Sequence, residues 1–195
     1  MVRHKEFDPD TAVGDAMGLF WERGYEATSV QDLVERTGVG RRSMYDTFGD
    51  KHSLYLLALD RYITQIEDDL RQRTESAADG LAGIRGMLAL LVEAPADDFR
   101  GCLVVNSSTE LGPSDDEVAQ RLSRHNEMCR DLLTEQIERG RSDGSVTDRI
   151  GVETATAVAF NTWLGVRVQV RARTPRSQII HDVEELLTLL NGSRT

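Results

Sequence analysis

Apolar side chains recur at intervals of three and four residues from Ala12 to Leu190, and no stretch alternates apolar and polar residues with a period of two. That spacing keeps one face of a 3.6-residue helical turn dry, whereas a strand needs strict alternation. The predicted fold is therefore all-α. Ala12, Val13, Ala16, Met17, Leu19 and Phe20 mark a first amphipathic helix, which Gly24 closes. Thr28 stands three residues before Gln31 as in a capping box, and Val30, Leu33 and Val34 stripe a short second helix. Gly38, Val39 and Gly40 interrupt it. A third helix spans residues 41–48, with Met44 and Phe48 on one face and Gly49 at its end. From the N-cap Asp50 a longer helix reaches about Arg73, with Leu54, Leu57, Ala58, Ile66 and Leu70 inward.

Beyond residue 80 the pattern predicts helices over 81–92, 103–111 and 115–139, separated by Pro95 and Pro113. In the third of these Val118, Leu122, His125, Cys129, Leu132 and Gln136 form the seam of a helix packed on both sides. Residues 140–146 read as a loop. Two last helices, 150–171 and 177–190, are divided by Pro175 and striped by Val152, Ala155, Ala159, Trp163 and Val166, then Ile179, Val183, Leu186, Leu187 and Leu190. Two such stripes exceed what one bundle needs, so these helices are expected to pair across a two-fold homodimer axis, with Leu187 in the interface.

Charge first argues against nucleic acid. The net charge is -10, where a nonspecific nucleic-acid coat would be strongly basic. Local clustering points the other way: between residues 36 and 51 stand Arg36, Arg41, Arg42 and Lys51 against Asp46 and Asp50. Screening over roughly 10 Å makes that local field the relevant one. No apolar run approaches the roughly 20 residues of a membrane span, so no membrane partner is expected. The N-terminus turns acidic and meets Pro9 before any apolar run, unlike a signal peptide, and the expected location is the cytoplasm. Cys102 and Cys129 then remain reduced thiols. No nucleotide loop, GxSxG elbow or HExxH motif is present, so no enzyme activity and no cofactor are expected.

Two short helices joined by a Gly-containing turn and braced by a preceding helix have the geometry that lays a recognition helix into a DNA major groove. The residues sharpen this. Gly24, Tyr25 and Thr28 before the second helix, Gly38 and Val39 after it, and Tyr45, Phe48 and Lys51 closing the motif resemble the DNA-binding domain of TetR-type (tetracycline-repressor family) regulators. Residues 101–111 more loosely resemble a regulatory-domain segment of one branch of that family. The chain departs from the pattern at Gly40, where Ser or Thr usually caps the recognition helix, and at Thr47, where an aromatic residue or His is common.

Within this resemblance, Thr28 and Ser29 at a helix N-terminus would present amides and hydroxyls to a phosphate of double-stranded operator DNA. Gly40, Arg41, Arg42 and Ser43 open the recognition helix where side chains reach base edges, and Tyr45 and Lys51 would grip the backbone on either side. The resemblance further implies an N-terminal helix-turn-helix domain, residues 1–52, and a C-terminal helical bundle, residues 53–195, for dimerisation and for a small, largely apolar effector that releases the DNA. Met87, Leu91, Phe99, Leu103, Asn106, Glu110, His125, Met128, Cys129, Phe160 and Trp163 are the effector-pocket candidates by position.

His125 and Cys129 share a helix face at a spacing compatible with a metal, yet two ligands are not a site; both are read as core or pocket lining. Two further readings stay open here. One is a helical-bundle enzyme or carrier whose N-terminal motif is an interaction surface; the other is an architectural DNA binder without an effector.

Overall fold

The computed structural model describes residues 7–90, 92–93 and 97–192. Among them the chain forms α1 Pro9–Arg23, α2 Val30–Thr37, α3 Arg41–Phe48, α4 Lys51–Glu75, α5 Gly80–Ala89, α6 Leu103–Glu110, α7 Asp116–Asp143, α8 Val152–Arg171 and α9 Arg176–Leu190. The only β pairing among these residues is an isolated bridge between Val146 and Asn191. No described helix is long and apolar enough to cross a membrane.

Local chemistry sets the boundaries. Asp8 caps α1 ahead of Pro9, whose missing N–H costs nothing at the first helical position. Asp50 caps α4 by accepting the Ser53 amide at 2.7 Å, as the sequence predicts. The cap of α2 differs from expectation. Ser29, not Thr28, is the N-cap: its hydroxyl accepts the Asp32 amide at 3.1 Å, and the Asp32 carboxylate accepts the Ser29 amide at 2.8 Å. Thr28 is fully buried instead, its hydroxyl donating to the Gly24 carbonyl at 2.6 Å. Asp therefore does the work expected of Gln31, one residue later in the register.

Three further expectations change. The 140–146 segment is not all loop, because α7 continues through Gly140 to Asp143 and stops at Gly144 in the left-handed region. Gly140 is needed inside that helix because a Cβ there would collide with the Val146 side chain, and Gly80 is needed in α5 because a Cβ there would collide with the Gly140 backbone. Along α7 the buried seam drifts from Leu132, which is half-buried, to Leu133 and Ile137, since 3.6 residues per turn slips against a strict seven-residue repeat. Leu57 of α4 faces solvent, 46% exposed, opposite the inward Leu54, Ala58 and Leu59.

Two apolar clusters result. The first joins α1 to α4 and extends past residue 52 to Cys102, Leu103, Val104, Leu111, Val118 and Leu122. The second gathers Leu70, Ile84, Met87, Cys129, Leu133, Ile137, Phe160, Trp163 and the α9 stripe. Leu187 belongs to this second cluster and is 2% exposed, so it packs inside its own chain rather than at an interface. The exposed apolar residues of α8 and α9 are Val158, Val168, Ile180 and Leu189.

Candidate functional site

α3 is anchored by Met44 and Phe48, four apart on its buried face, with Val39 beneath the turn. That anchoring pushes Arg41, Arg42, Tyr45, Asp46 and Thr47 outward. The Arg42 side chain is 95% exposed and only loosely paired with Asp46 at 3.7 Å. Arg41 is exposed with no carboxylate within 4 Å among the described residues. Gly40 supplies no capping side chain, which leaves the first amides of α3 open to an outside acceptor. The other basic residues nearby are already matched, Arg36 with Glu22 at 2.6 Å and Arg23 with Asp32 at 2.8 Å. The net acidity of the chain is thus compatible with a cationic tip on α3.

Around this tip, Ser29 is exposed at the start of α2 and Ser43 is half-buried. The Lys51 ammonium sits 4.0 Å above the Tyr25 ring, which fixes the lysine beside the end of α3. Ser29, Gly40, Arg41, Arg42 and Tyr45 are thus exposed and Lys51 half-buried, whereas Thr28 is buried and holds the turn.

A short segment couples this head to the remaining helices. The Glu110 carboxylate at the end of α6 accepts the Tyr25 and Glu26 amides at 3.1 and 2.9 Å. Gly24 precedes them at φ 86°, a conformation favouring glycine, and a Cβ there would sit 2.9 Å from both Glu110 oxygens. The Tyr55 and Ser107 hydroxyls bond at 2.6 Å, the Trp21 indole donates to the Gly101 carbonyl at 3.2 Å, and His52 bonds Asp115 at 2.6 Å. Five hydrogen bonds thus run from α1, the turn after it and α4 to α6, Gly101 before it and the α7 cap.

The remaining pocket candidates separate. Met87, Leu103, His125, Cys129, Phe160 and Trp163 are buried. Asn106 is half-buried and donates to the Arg100 carbonyl at 3.0 Å. Phe99 lines a surface cleft with Arg100, Arg171 and Arg173, and Met128 lines an outer groove on α7 with Leu132 and Glu135. Leu91 lies outside the described residues.

The buried group carries polar chemistry. His125 contacts Glu67 at 3.2 Å through Nδ1 and Cys129 at 3.5 Å through Nε2. Burial lowers the His125 pKa, Glu67 opposes this, and the Arg167 charge adds to it. Burial likewise pushes the Cys129 thiol up to about 12, which keeps it protonated. Among the described residues, no three His, Cys, Asp or Glu side chains converge as a metal site. Glu67, Tyr62 and Arg167 were not among the sequence candidates. Arg167 alone left a signal: an arginine in the apolar stripe of α8, four residues after Trp163 and beside Val166.

Comparisons with other proteins agree with this architecture. Residues 14–58 match the family model described as bacterial regulatory proteins, tetR family, and residues 80–180 match the one described as tetracyclin repressor-like, C-terminal domain. The HTH-type transcriptional regulator YezE of Bacillus subtilis (strain 168) is 33% identical over 148 residues, covering 75% of this chain and 76% of its own. The HTH-type transcriptional repressor ComR of Escherichia coli (strain K12) is 39% identical over 128 residues, covering 63% and 60%. Among solved structures, a cysteine mutant of the TetR family regulator CifR, complexed with 26-bp double-strand operator DNA, aligns with a TM-score of 0.84 at 30% identity. That alignment covers 96% of this chain and 99% of CifR.

Proposed function

Because the chain belongs to the tetracycline-repressor family of bacterial regulatory proteins, we propose that it is a DNA-binding transcriptional repressor that leaves a palindromic operator when a small molecule enters its helical core. The observation that carries this reading is the outward face of α3, where Arg41, Arg42 and Tyr45 stand beside the open amides that follow Gly40. Arginine reaches guanine bidentately, and helix-start amides take a phosphate. ComR is named a repressor and CifR was solved on operator DNA, which supports the same role here.

The division of labour is residues 1–52 for DNA and 53–195 for effector and dimerisation, with α4 and α6 shared between them. The dimer forms through the outward stripe of α8 containing Val158, Gly165 and Val168, together with Leu189 of α9; nothing lies within 4 Å of a Cβ built at Gly165. The effector site is the buried group around His125, Phe160 and Trp163, and the protein acts in the cytoplasm as a regulator without a catalytic step.

Binding of duplex DNA across a salt series tests this. The reading expects affinity to fall steeply with salt for all sequences, with a selected operator bound roughly 10³-fold or more above random duplex. Equal affinity for both would leave an unspecific binder, and no binding would return the head to a protein-interaction surface.

A further inference from the structure

Arg167 enters the core of the regulatory half as a cation with no carboxylate paired to it among the described residues. It is 2% exposed. Its Nη1 donates to the Trp163 carbonyl at 3.3 Å, and its Cζ lies 3.1 Å from the centroid of the Trp163 ring. Nε and Nη2 have no hydrogen-bond partner, and no carboxylate stands within 4 Å among the described residues. A guanidinium cannot shed its proton to escape burial as a lysine or histidine can. The indole face offsets part of the charge and leaves the N–H groups unsatisfied.

The identity of the two idle nitrogens is specific. Nε and Nη2 form one edge of the guanidinium fork, where two parallel N–H bonds match the two oxygens of a carboxylate. Another buried donor lies on the same helix: the Trp163 indole N–H also lacks a partner. Glu67, the carboxylate nearest in the fold to this cluster's histidine, spends its oxygens on His125 at 3.2 Å and Arg71 at 3.3 Å. Two buried amide oxygens, of Asn126 and Gln169, also lack partners among the described residues, but no carboxylate oxygen does, so the charge of Arg167 has no anionic counterpart there. Phe160 stacks on Trp163 with centroids 5.7 Å apart, and Met87 belongs to the same apolar cluster, so the surroundings suit a hydrocarbon or aromatic body.

We infer that the effector is an organic monocarboxylate, its carboxylate seated on the Nε–Nη2 edge of Arg167 and its apolar body against Trp163 and Phe160. This rests on the effector-responsive reading above and replaces a purely apolar effector with an amphipathic anion. The single charge of Arg167 and its planar edge favour a carboxylate over a phosphate dianion, which needs more donors than the site offers.

The test titrates the full-length protein by calorimetry with acetate, hexanoate, benzoate and phenylacetate, and with the primary amide of each. At least one apolar carboxylate is expected to bind, its amide at least tenfold more weakly, and acetate weakly for want of a body. Arg167→Met should cut that affinity at least tenfold while leaving the unliganded Tm equal to or above that of the parent. Arg167→Lys, which keeps the charge and loses the edge, should fall between and decides the matter if Arg167→Met does not fold. Amides binding as well as acids, an unchanged affinity in the Arg167 variants, or no response to any carboxylate would overturn the inference. Operator binding is measured in parallel. Its absence in the parent protein would remove the repressor reading itself, whereas intact binding insensitive to bound carboxylate would remove only this effector assignment.

Discussion

Arg42 and Lys51 stand in the first turns of two successive helices, α3 and α4, and should fail differently when removed. Arg42 projects from α3 with its side chain 95% exposed, whereas Lys51 rests on the Tyr25 ring at the motif's edge. Arg42→Ala should therefore relax preference at one base pair by about 1–3 kcal/mol, and Lys51→Ala should weaken all sequences alike and lower the salt slope by about one. Competitive binding to base-substituted operators separates the two. His125 gives a pH signature. Its folded pKa is held below the ordinary 6.5, chiefly by burial, so the unfolded chain binds the proton more readily. Its contribution to stability is complete above about 6.5 and is lost as pH falls toward the folded value. Denaturation at pH 7 and pH 5.5 should show a smaller acid loss in His125→Gln, and an equal loss would place the acid sensitivity elsewhere. The outward residues of α3 were legible because motif and anchor lie within eight residues of one another. Glu67 and Tyr62 were not, and Arg167 showed only as an arginine in the α8 stripe, since no local spacing records how α4, α7 and α8 converge.

At the scale of elements, α6 lies between head and core, packing on α4 and also on α7 and α8. Its first residues, Leu103 and Val104, join the cluster under α1 and α4, and its last, Glu110, holds the Tyr25 and Glu26 amides ahead of α2. A shift of α6 by an effector therefore moves the turn that orients α2 and α3. Typical coupling of about 1–3 kcal/mol corresponds to a 5- to 150-fold loss of operator affinity. Glu110→Ala should keep most operator affinity and bring that ratio toward one, read by titrating operator with and without effector. An undiminished ratio would route the signal through α4 instead. By its position in the 101–111 segment Glu110 could be picked out from the sequence, but as pocket lining; its partners lie 84 and 85 residues away, and only the fold supplies them. The same limit applies to α7, where Gly140 reads locally as a helix end but sits within the helix against Val146, with the Gly80 backbone of α5 crossing close by.

At the scale of the whole molecule, the account requires a two-fold pair of heads at fixed separation. The apolar stripe of α9 was visible in the sequence, but period alone cannot say whether a buried face meets its own chain or a second copy; the fold assigns Leu187 to its own core and leaves Val168 and Leu189 outside, 53% and 55% exposed. Val168→Glu with Leu189→Glu should give folded monomers by sedimentation with greatly weakened operator binding, whereas Leu187→Glu should lower Tm by burying a charge. A Val168 and Leu189 variant that sediments as a dimer would move the interface elsewhere. The central claim is that α3 reads DNA as one of a symmetric pair, and selection of bound duplexes from a random pool tests it most directly. The account predicts enrichment of a palindrome whose half-sites are centred about 34–36 Å apart or a multiple of that, lost when Arg41 and Arg42 are both changed to alanine. An unenriched pool, or an identical palindrome selected by the double variant, would contradict it.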